Sequence, residues 1–234
     1  MNNTIWTGDT SHTDVEEKPN ENKNNPIKKE DIEKIIRNHP ENNMQNKFDV
    51  YSRDTDIFFY TTINNTTAIQ FQTELNKIYK SILENVNAAQ VRGYQLVFPP
   101  IKIHFNSPGG GIFAAFMMID TLRLLKQRDP RVVIHTIIEG ISASAATLIS
   151  VTGDKRFCTK YGYMLIHQLS GSTGGKYNEI KDNMENINEL MDRIKQIYQD
   201  HTTIPKEDFD SILSHDRYWN AKKCLKMGLI DEIL

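Results

Sequence analysis

The chain of 234 residues has only two cysteines, Cys158 and Cys224, which are too few for a disulfide scaffold and lack the spacing of metal ligands. No apolar run approaches the roughly 18 residues of a membrane span. The N-terminal residues lack the basic and apolar regions of a secretory signal. The 28 basic and 30 acidic side chains nearly cancel, so the positive excess of a broad nucleic-acid-binding surface is missing. We therefore expect a cytoplasmic protein that binds neither membrane nor nucleic acid.

Large apolar residues are scarce in the first 46 positions, which contain ten Asn and fifteen charged side chains. Such a segment cannot bury enough apolar surface to offset the conformational entropy lost on folding. We therefore predict a largely disordered extension over residues 1–46 and a folded domain over residues 47–234. In the extension, Ile32, Ile35 and Ile36 share one face of a predicted short helix over 28–37. That helix would dock on the folded domain, form transiently, or bind a partner.

From about residue 48 the hydrophobic pattern alternates between strand and helix periods. The predicted strands cover residues 56–62, 101–105, 132–138, 156–159, 163–166 and 229–234. The predicted helices follow a cap at 64–66 and run to about 85, then cover 113–126, 144–152, 178–201, 206–214 and 221–227. Gly140 is predicted to end a strand, and Gly228 to cap the last helix. This alternation predicts an α/β fold.

The first motif of chemical interest is NSPGGG at 106–111, between a predicted strand and a predicted helix. Consecutive glycines permit backbone conformations that residues with a Cβ avoid. They also allow backbone N–H groups to face a bound carbonyl oxygen, as an oxyanion hole requires. Taken alone, the motif is equally typical of a tight turn. A phosphate loop is disfavoured because no Gly-Lys-Ser/Thr follows.

The second motif is EGISASAAT at 139–147, where small residues lead from a strand into a helix. A serine at such a turn can present its hydroxyl at the start of the helix, although the G-x-S-x-G pattern of a nucleophile elbow is absent. Ser142 and Ser144 are both candidates. Taken alone, either serine could simply cap the helix.

A histidine and an acid could complete a catalytic group. His167 follows an apolar strand and could instead satisfy a backbone carbonyl, and Asp216 lies in a polar turn and could instead cap a helix. A serine needs a base because its hydroxyl is a weak nucleophile. Imidazole can accept that proton near neutral pH, and a carboxylate can orient the imidazole. The residues alone do not choose the pairing.

Taken in order, these motifs resemble the ClpP family, the proteolytic subunits of ATP-dependent Clp proteases. The resemblance covers residues 56–234, and Asp216 lies 49 positions after His167, which fits the family. Further anchors are KRFC at 155–158, M-x-I-H-Q at 164–168, DRYWNA at 216–221 and GLIDEIL at 228–234. The abundance of Asn and Lys suggests an AT-rich source genome, such as that of a phage or other virus.

The resemblance implies a serine endopeptidase with Ser144 as nucleophile, His167 as general base and Asp216 as the orienting acid. Backbone N–H groups of Gly110 and Ala145 would form the oxyanion hole. The resemblance implies no metal or organic cofactor, since ATP would be used by a separate Clp-type AAA+ unfoldase. It also implies a ClpP/crotonase-like spiral of β-β-α units with a protruding handle helix.

The family assembles two stacked heptameric rings, so the resemblance implies a homo-oligomer that degrades unfolded proteins or peptides. The loop at 170–175 and the helix at 178–201 match the handle that interlocks the rings. The chain departs from the family at Ala145, where Met is usual, and at Leu169, where Pro is usual. Segments 87–100 and 126–136 look longer than in the family.

Two other functions remain open at this stage. A noncatalytic or structural ring subunit would share the fold, but such members typically lose residues of the triad, and all three are present here. A crotonase-fold acyl-CoA enzyme would share the oxyanion chemistry without the triad.

Overall fold

The structure is a computed structural model, and it describes residues 49–234. The strands are β1 (Val50–Arg53), β2 (Asp56–Phe59), β3 (Ile101–Ser107), β4 (Ile134–Ala143), β5 (Lys155–Cys158), β6 (Tyr163–Ile166), β7 (Arg217–Asn220) and β8 (Glu232–Ile233). The helices are α1 (Asn65–Val91), α2 (Ile112–Arg128), α3 (Ala145–Ser150), α4 (Tyr177–His201), α5 (Phe209–Leu213) and α6 (Ala221–Lys226), and a 3₁₀ turn over Lys206–Asp208 precedes α5. The predictions for residues 1–46, including the helix at 28–37, lie outside the described residues.

A mixed eight-stranded sheet organises this part of the chain, with the order β1-β2-β3-β4-β5-β8. The strands from β2 to β5, and β8 beside β5, run parallel, whereas β1 and β2 form an antiparallel hairpin. β6 pairs parallel with the end of β4 and antiparallel with β7, so the sheet branches at β4. Parallel strands joined through helices confirm the predicted α/β class.

β4 is longer than predicted, and the break expected at Gly140 is wrong. The strand runs through Gly140, whose φ of 80° is accessible to glycine without a steric penalty. The strand bends there instead of ending, and residues 141–143 then pair with residues 163–165 of β6. This bend brings the end of β4 into register with the strand that precedes His167.

Two short strands were missed from the sequence. β1 is the edge of the hairpin, and its four residues carry only one fully buried side chain, Val50. β7 was taken for part of a polar turn, because three of its four side chains are exposed. β7 is defined by its pairing with the distant strand β6, which a local hydrophobic pattern does not encode, whereas β1 pairs with the adjacent β2.

The buried apolar side chains form two clusters. The first packs α1 and α2 on the sheet and includes Phe59, Phe71 and Phe105. The second lies around β6 and the end of α4 and includes Tyr198 and Trp219. Only Ile194 and Tyr198 of the 25 residues of α4 are buried, so the first half of this helix extends from the core into solvent. None of the helices within residues 49–234 combines the length and the hydropathy that a bilayer crossing needs.

Candidate active site

Ser144 occupies the single residue between β4 and α3. Its φ of 53° and ψ of −128° lie outside the regions that residues with a Cβ ordinarily adopt. Such a conformation costs about 1–3 kcal/mol and persists only where the surroundings enforce it. The Ser144 N–H donates to the carbonyl of Leu165 in β6 over 2.8 Å, and the Ser144 carbonyl accepts from the N–H of Thr147 over 3.0 Å. Hydrogen bonds at both the N–H and the carbonyl of Ser144 therefore hold its backbone in place.

Ser142, the other candidate nucleophile, lies in different surroundings. Its side chain is fully buried within β4, and its Oγ lies 3.4 Å from the Oγ of Ser150. Ser144 is partly exposed and lines a cleft. Residues two apart in a strand share a face, but Ser144 lies beyond the end of β4 and its positive φ removes it from the strand pattern. Of the two serines, only Ser144 is exposed to the cleft.

Gly109 of NSPGGG packs directly against this turn. A Cβ on Gly109 would lie 2.5 Å from the Ala143 carbonyl oxygen and 2.7 Å from Ser144 Cβ. Gly109 and Gly110 have φ values of 94° and 146°, which L side chains rarely adopt. The sequence therefore needs glycine here so that the loop can approach the serine closely.

Two backbone N–H groups at the cleft have no acceptor within the described chain. The N–H of Gly109 donates to Ser107 Oγ, and that of Gly111 donates to the carbonyl of Ile63. Within residues 49–234, the N–H groups of Gly110 and Ala145 donate no hydrogen bond. Unpaired donors beside a cleft are available to an incoming carbonyl oxygen.

The structure brings His167 and Asp216 together. In the antiparallel pair of β6 and β7, Ile166 lies opposite Arg217. His167 directly follows β6 and Asp216 directly precedes β7, so the pairing makes these two residues neighbours. His167 Nδ1 lies 3.0 Å from Asp216 Oδ1. The imidazole is 19% exposed and the carboxylate is 74% exposed. The pair sits at the rim of the cleft, where the histidine can reach solvent and substrate.

A single cleft of about 190 Å³ joins these groups. Its polar lining includes Gly110, Ser144 and His167, and its apolar lining is formed by Ile112, Ala145, Leu148, Leu169, Ile194 and Tyr198. No hydrogen bond links Ser144 Oγ to His167 in the described part of the chain. Catalytic hydrogen bonds are often long before substrate binds. All five residues implied by the resemblance thus lie in or beside one cleft.

The two cysteines are not alternative nucleophiles. Both are buried and free. Burial raises the pKa of Cys158 to about 11 and that of Cys224 to about 12. Because the thiolate is the reactive form, both thiols are inert near neutral pH.

A second polar cluster lies on β2, β3 and β4, away from the cleft. His104 contacts Glu139 Oε1 over 2.9 Å and Asp56 Oδ1 over 2.8 Å, and the Tyr60 hydroxyl donates to Glu139. Burial, together with Glu139, raises the pKa of Tyr60. Glu139, although part of the serine motif, therefore belongs to this cluster. Nowhere in residues 49–234 are three or more His, Cys, Asp or Glu side chains arranged to hold a metal ion, and the expected absence of a cofactor stays a prediction.

Sequence analysis missed one contact at the cleft. The Thr147 side chain donates to the Ser144 carbonyl and also contacts the hydroxyl of Tyr198 in α4. Tyr198 lies within the predicted helix at 178–201, and the helical spacing places it on the apolar face. A hydroxyl on the buried face of an amphipathic helix was the available signal, since a buried tyrosine hydroxyl needs a partner.

An α/β fold that carries this cleft has the features of a hydrolase. A family model described as Clp protease matches residues 39–234. A similar curated protein is the ATP-dependent Clp protease proteolytic subunit of Deinococcus radiodurans, which is 26% identical over 195 residues, 81% of this chain and 86% of that protein. The chain therefore belongs to the Clp protease family and is a peptidase of the ClpP type.

Proposed function

We propose that this chain is a serine endopeptidase in which Ser144, His167 and Asp216 form the catalytic triad. The observation that carries the proposal is the forced backbone of Ser144 at the start of α3, in the same cleft as the His167–Asp216 pair. A strained serine at a strand-to-helix turn is the geometry that exposes a nucleophilic hydroxyl.

In the proposed reaction, Ser144 Oγ attacks the carbonyl carbon of a peptide bond and its proton passes to His167. The negative charge that develops on the carbonyl oxygen is bound by the N–H groups of Gly110 and Ala145. The C–N bond then breaks, the amine leaves with the proton from His167, and an acyl ester remains on Ser144. Water, deprotonated by His167, hydrolyses that ester and restores the serine. Asp216 orients the imidazole and stabilises its charged form.

The proposal includes the assembly typical of the family. A homo-oligomer of two stacked heptameric rings would enclose the cleft, and a separate Clp-type AAA+ ATPase would deliver unfolded protein substrates to it. The exposed first half of α4 supports this part, because Ile180 and Met184 lie 39% and 46% exposed on that helix. Apolar side chains exposed on a protruding helix are typical of a subunit interface.

A serine-reactive fluorophosphonate tests the nucleophile directly. Attack by Ser144 Oγ on phosphorus displaces fluoride and leaves a phosphonyl ester on the serine. We expect labelling of the wild-type chain and loss of labelling in Ser144→Ala, measured by intact mass and peptide mapping. Ser142→Ala is the matched control, because it removes a hydroxyl two residues away that lies buried in β4.

The contrary results are distinct. Labelling that survives in Ser144→Ala but disappears in Ser142→Ala would reassign the nucleophile. A wild-type chain that remains unlabelled while natively folded would point to a noncatalytic ring subunit. Labelling at Ser144 without peptide hydrolysis, together with binding of an acyl-CoA, would favour the crotonase-type reaction.

A further inference from the structure

Thr147 connects the Ser144 turn to helix α4 through two hydrogen bonds. Its Oγ1 lies 2.6 Å from the carbonyl oxygen of Ser144, and the Thr147 N–H donates to the same oxygen over 3.0 Å. The same Oγ1 lies 2.6 Å from the Tyr198 hydroxyl. Thr147 is fully buried and Tyr198 almost so, with 1% of its surface exposed.

The direction of these hydrogen bonds follows from the number of protons. A threonine hydroxyl has one proton, and the Ser144 carbonyl can only accept. The Thr147 hydroxyl therefore donates to the carbonyl, and the Tyr198 hydroxyl donates to Thr147. Burial raises the pKa of Tyr198, so its hydroxyl keeps the proton that it donates. The result is a directed chain of hydrogen bonds from α4 to the Ser144 carbonyl.

The Ser144 carbonyl shares a planar peptide unit with the N–H of Ala145. In a trans peptide the C=O and N–H bonds point in opposite directions, so fixing the oxygen also fixes the hydrogen. The ψ of Ser144, −128°, sets the rotation of this plane. The backbone conformation of Ser144 is strained and persists only because surrounding contacts enforce it. The two donors from Thr147 hold the plane in place.

From this geometry we propose that Thr147 and Tyr198 are positioning residues that aim the Ala145 N–H at the oxyanion. The inference rests on the proposed function, because Ala145 acts only if Ser144 is the nucleophile. It also assigns α4 a role besides the proposed subunit contact. The N-terminal half of the helix protrudes, and Tyr198 near its C-terminal end orients an oxyanion donor. Neither Thr147 nor Tyr198 touches the reacting atoms.

The test measures the rate and affinity of fluorophosphonate labelling at Ser144 separately. The phosphonyl oxygen occupies the position of the oxyanion, so the maximal labelling rate reports how well the Ala145 N–H is aimed. Loss of a complete oxyanion donor costs about 100- to 1000-fold. For Thr147→Val, which keeps the N–H of residue 147 but removes the hydroxyl that also holds the peptide plane, we expect a decrease of about 10- to 100-fold in maximal rate, with the concentration for half-maximal rate unchanged.

Three variants separate positioning from folding. Thr147→Ser keeps the hydroxyl and should restore the rate to within about threefold of wild type. Tyr198→Phe removes only the outer donor and should lower the rate less than Thr147→Val does. The double variant that combines Thr147→Val with Tyr198→Phe should be labelled no more slowly than Thr147→Val alone, because Tyr198 acts through the Thr147 hydroxyl.

Thr136→Val is the matched control. Thr136 is equally buried, and its Oγ1 donates to the carbonyl of Ser150 at the far end of α3 over 2.7 Å. Its loss should lower the melting temperature without changing the maximal labelling rate. Melting temperatures and far-ultraviolet circular dichroism of all variants verify that they are folded.

Equal maximal rates for wild type and folded Thr147→Val would overturn the inference and leave the proposed function standing. A low rate in Thr147→Ser that matches Thr147→Val would also overturn it, because the hydroxyl would then be irrelevant. Absence of labelling at Ser144 in the wild-type chain would overturn the proposed function and this inference together.

Discussion

At the scale of single residues, the three consecutive glycines before α2 are identical in sequence but have different surroundings in the structure. A Cβ on Gly110 would lie 2.1 Å from the carbonyl oxygen of Ile63, whereas the nearest atom to a Cβ on Gly111 is that same oxygen at 3.8 Å. Gly110 also has a φ of 146°. Gly111 can therefore accept a side chain without movement of the backbone, whereas Gly110 cannot.

We expect Gly110→Ala to lower peptidase activity more than 100-fold and to destabilise the fold by at least about 2 kcal/mol. The methyl group would displace the loop from Ile63 and shift the Gly110 N–H. Gly111→Ala, the adjacent control, should retain activity within about threefold and cost at most about 1 kcal/mol as a poorer helix cap. Peptide hydrolysis and urea unfolding measure both effects. Equal behaviour of the two variants would contradict the assigned crowding.

The catalytic cleft shows how far residue-level prediction reaches. The resemblance implied Ser144, His167 and Asp216 as the triad. In the structure Ser144 and His167 line one cleft, and Asp216 contacts His167. The residues alone left Ser142 and Ser144 both open, and the resemblance selected Ser144; the physical difference is that β4 ends at Ala143, which leaves Ser142 buried in the strand and Ser144 in the turn. The contact of Thr147 with Tyr198 was also out of reach, because it joins segments 51 residues apart.

At the scale of elements, the connection between α2 and β4 is held by one buried carboxylate. Asp129 accepts from Arg131 Nε over 2.9 Å, from Arg131 Nη2 over 2.7 Å and from the Tyr79 hydroxyl over 3.1 Å. The Arg131 guanidinium holds the pKa of Asp129 well below its usual range. This connection lies within the segment 126–136 that looked longer than in the family, and the Tyr79 hydroxyl ties it to α1.

We expect Asp129→Asn to lower the free energy of unfolding by about 1–3 kcal/mol at pH 7. Because the folded pKa is depressed, the stabilisation is present above the unfolded value of about 3.9 and is lost as the pH falls below it. The difference between wild type and variant should therefore shrink between about pH 5 and pH 2. Asp120→Asn is the control, since Asp120 forms an exposed pair with Arg123. A difference that is independent of pH would contradict this assignment.

The elements that the sequence predicted well are those with long amphipathic patterns. α2 and α4 were placed within two residues, and α1 continues six residues beyond its predicted end at about residue 85. The terminal strand, by contrast, shrank to Glu232–Ile233, and the helix at 206–214 became a 3₁₀ turn and α5. Short elements take their form from neighbours, and β7 exists because β6 pairs with it. Local pattern decides the long helices, and distant pairing decides the short strands.

At the scale of the whole molecule, α4 has an anchored end and a free end. Ile194 and Tyr198 are buried in the core, whereas Tyr177 is 81% exposed within the described chain. Within residues 49–234, little surface covers the side chain of Tyr177. Assembly through this helix would bury it, which is consistent with the proposed rings.

Native mass spectrometry tests the assembly. We expect fourteen subunits for the wild-type chain and smaller species for Met184→Lys, because a charge would be placed in the apolar contact. Asn186→Lys adds the same charge two residues away on an already polar, exposed position and should assemble as the wild type does. A wild-type monomer at micromolar concentration would contradict the proposed rings. Intact assembly of Met184→Lys would exclude this helix face from the interface.

The four residues of β6 have a consequence for how an active molecule arises. β6 pairs with β4 on one side and with β7 on the other. A slip of one residue in either pairing would turn His167 to the opposite face of the sheet. Strands 134–143, 163–166 and 217–220 are separated in sequence, and such non-local pairings form slowly because the intervening loops must close first. A newly made chain can thus acquire its helices and a compact core while it is still inert, and hydrolytic capacity arrives only when these three strands are aligned.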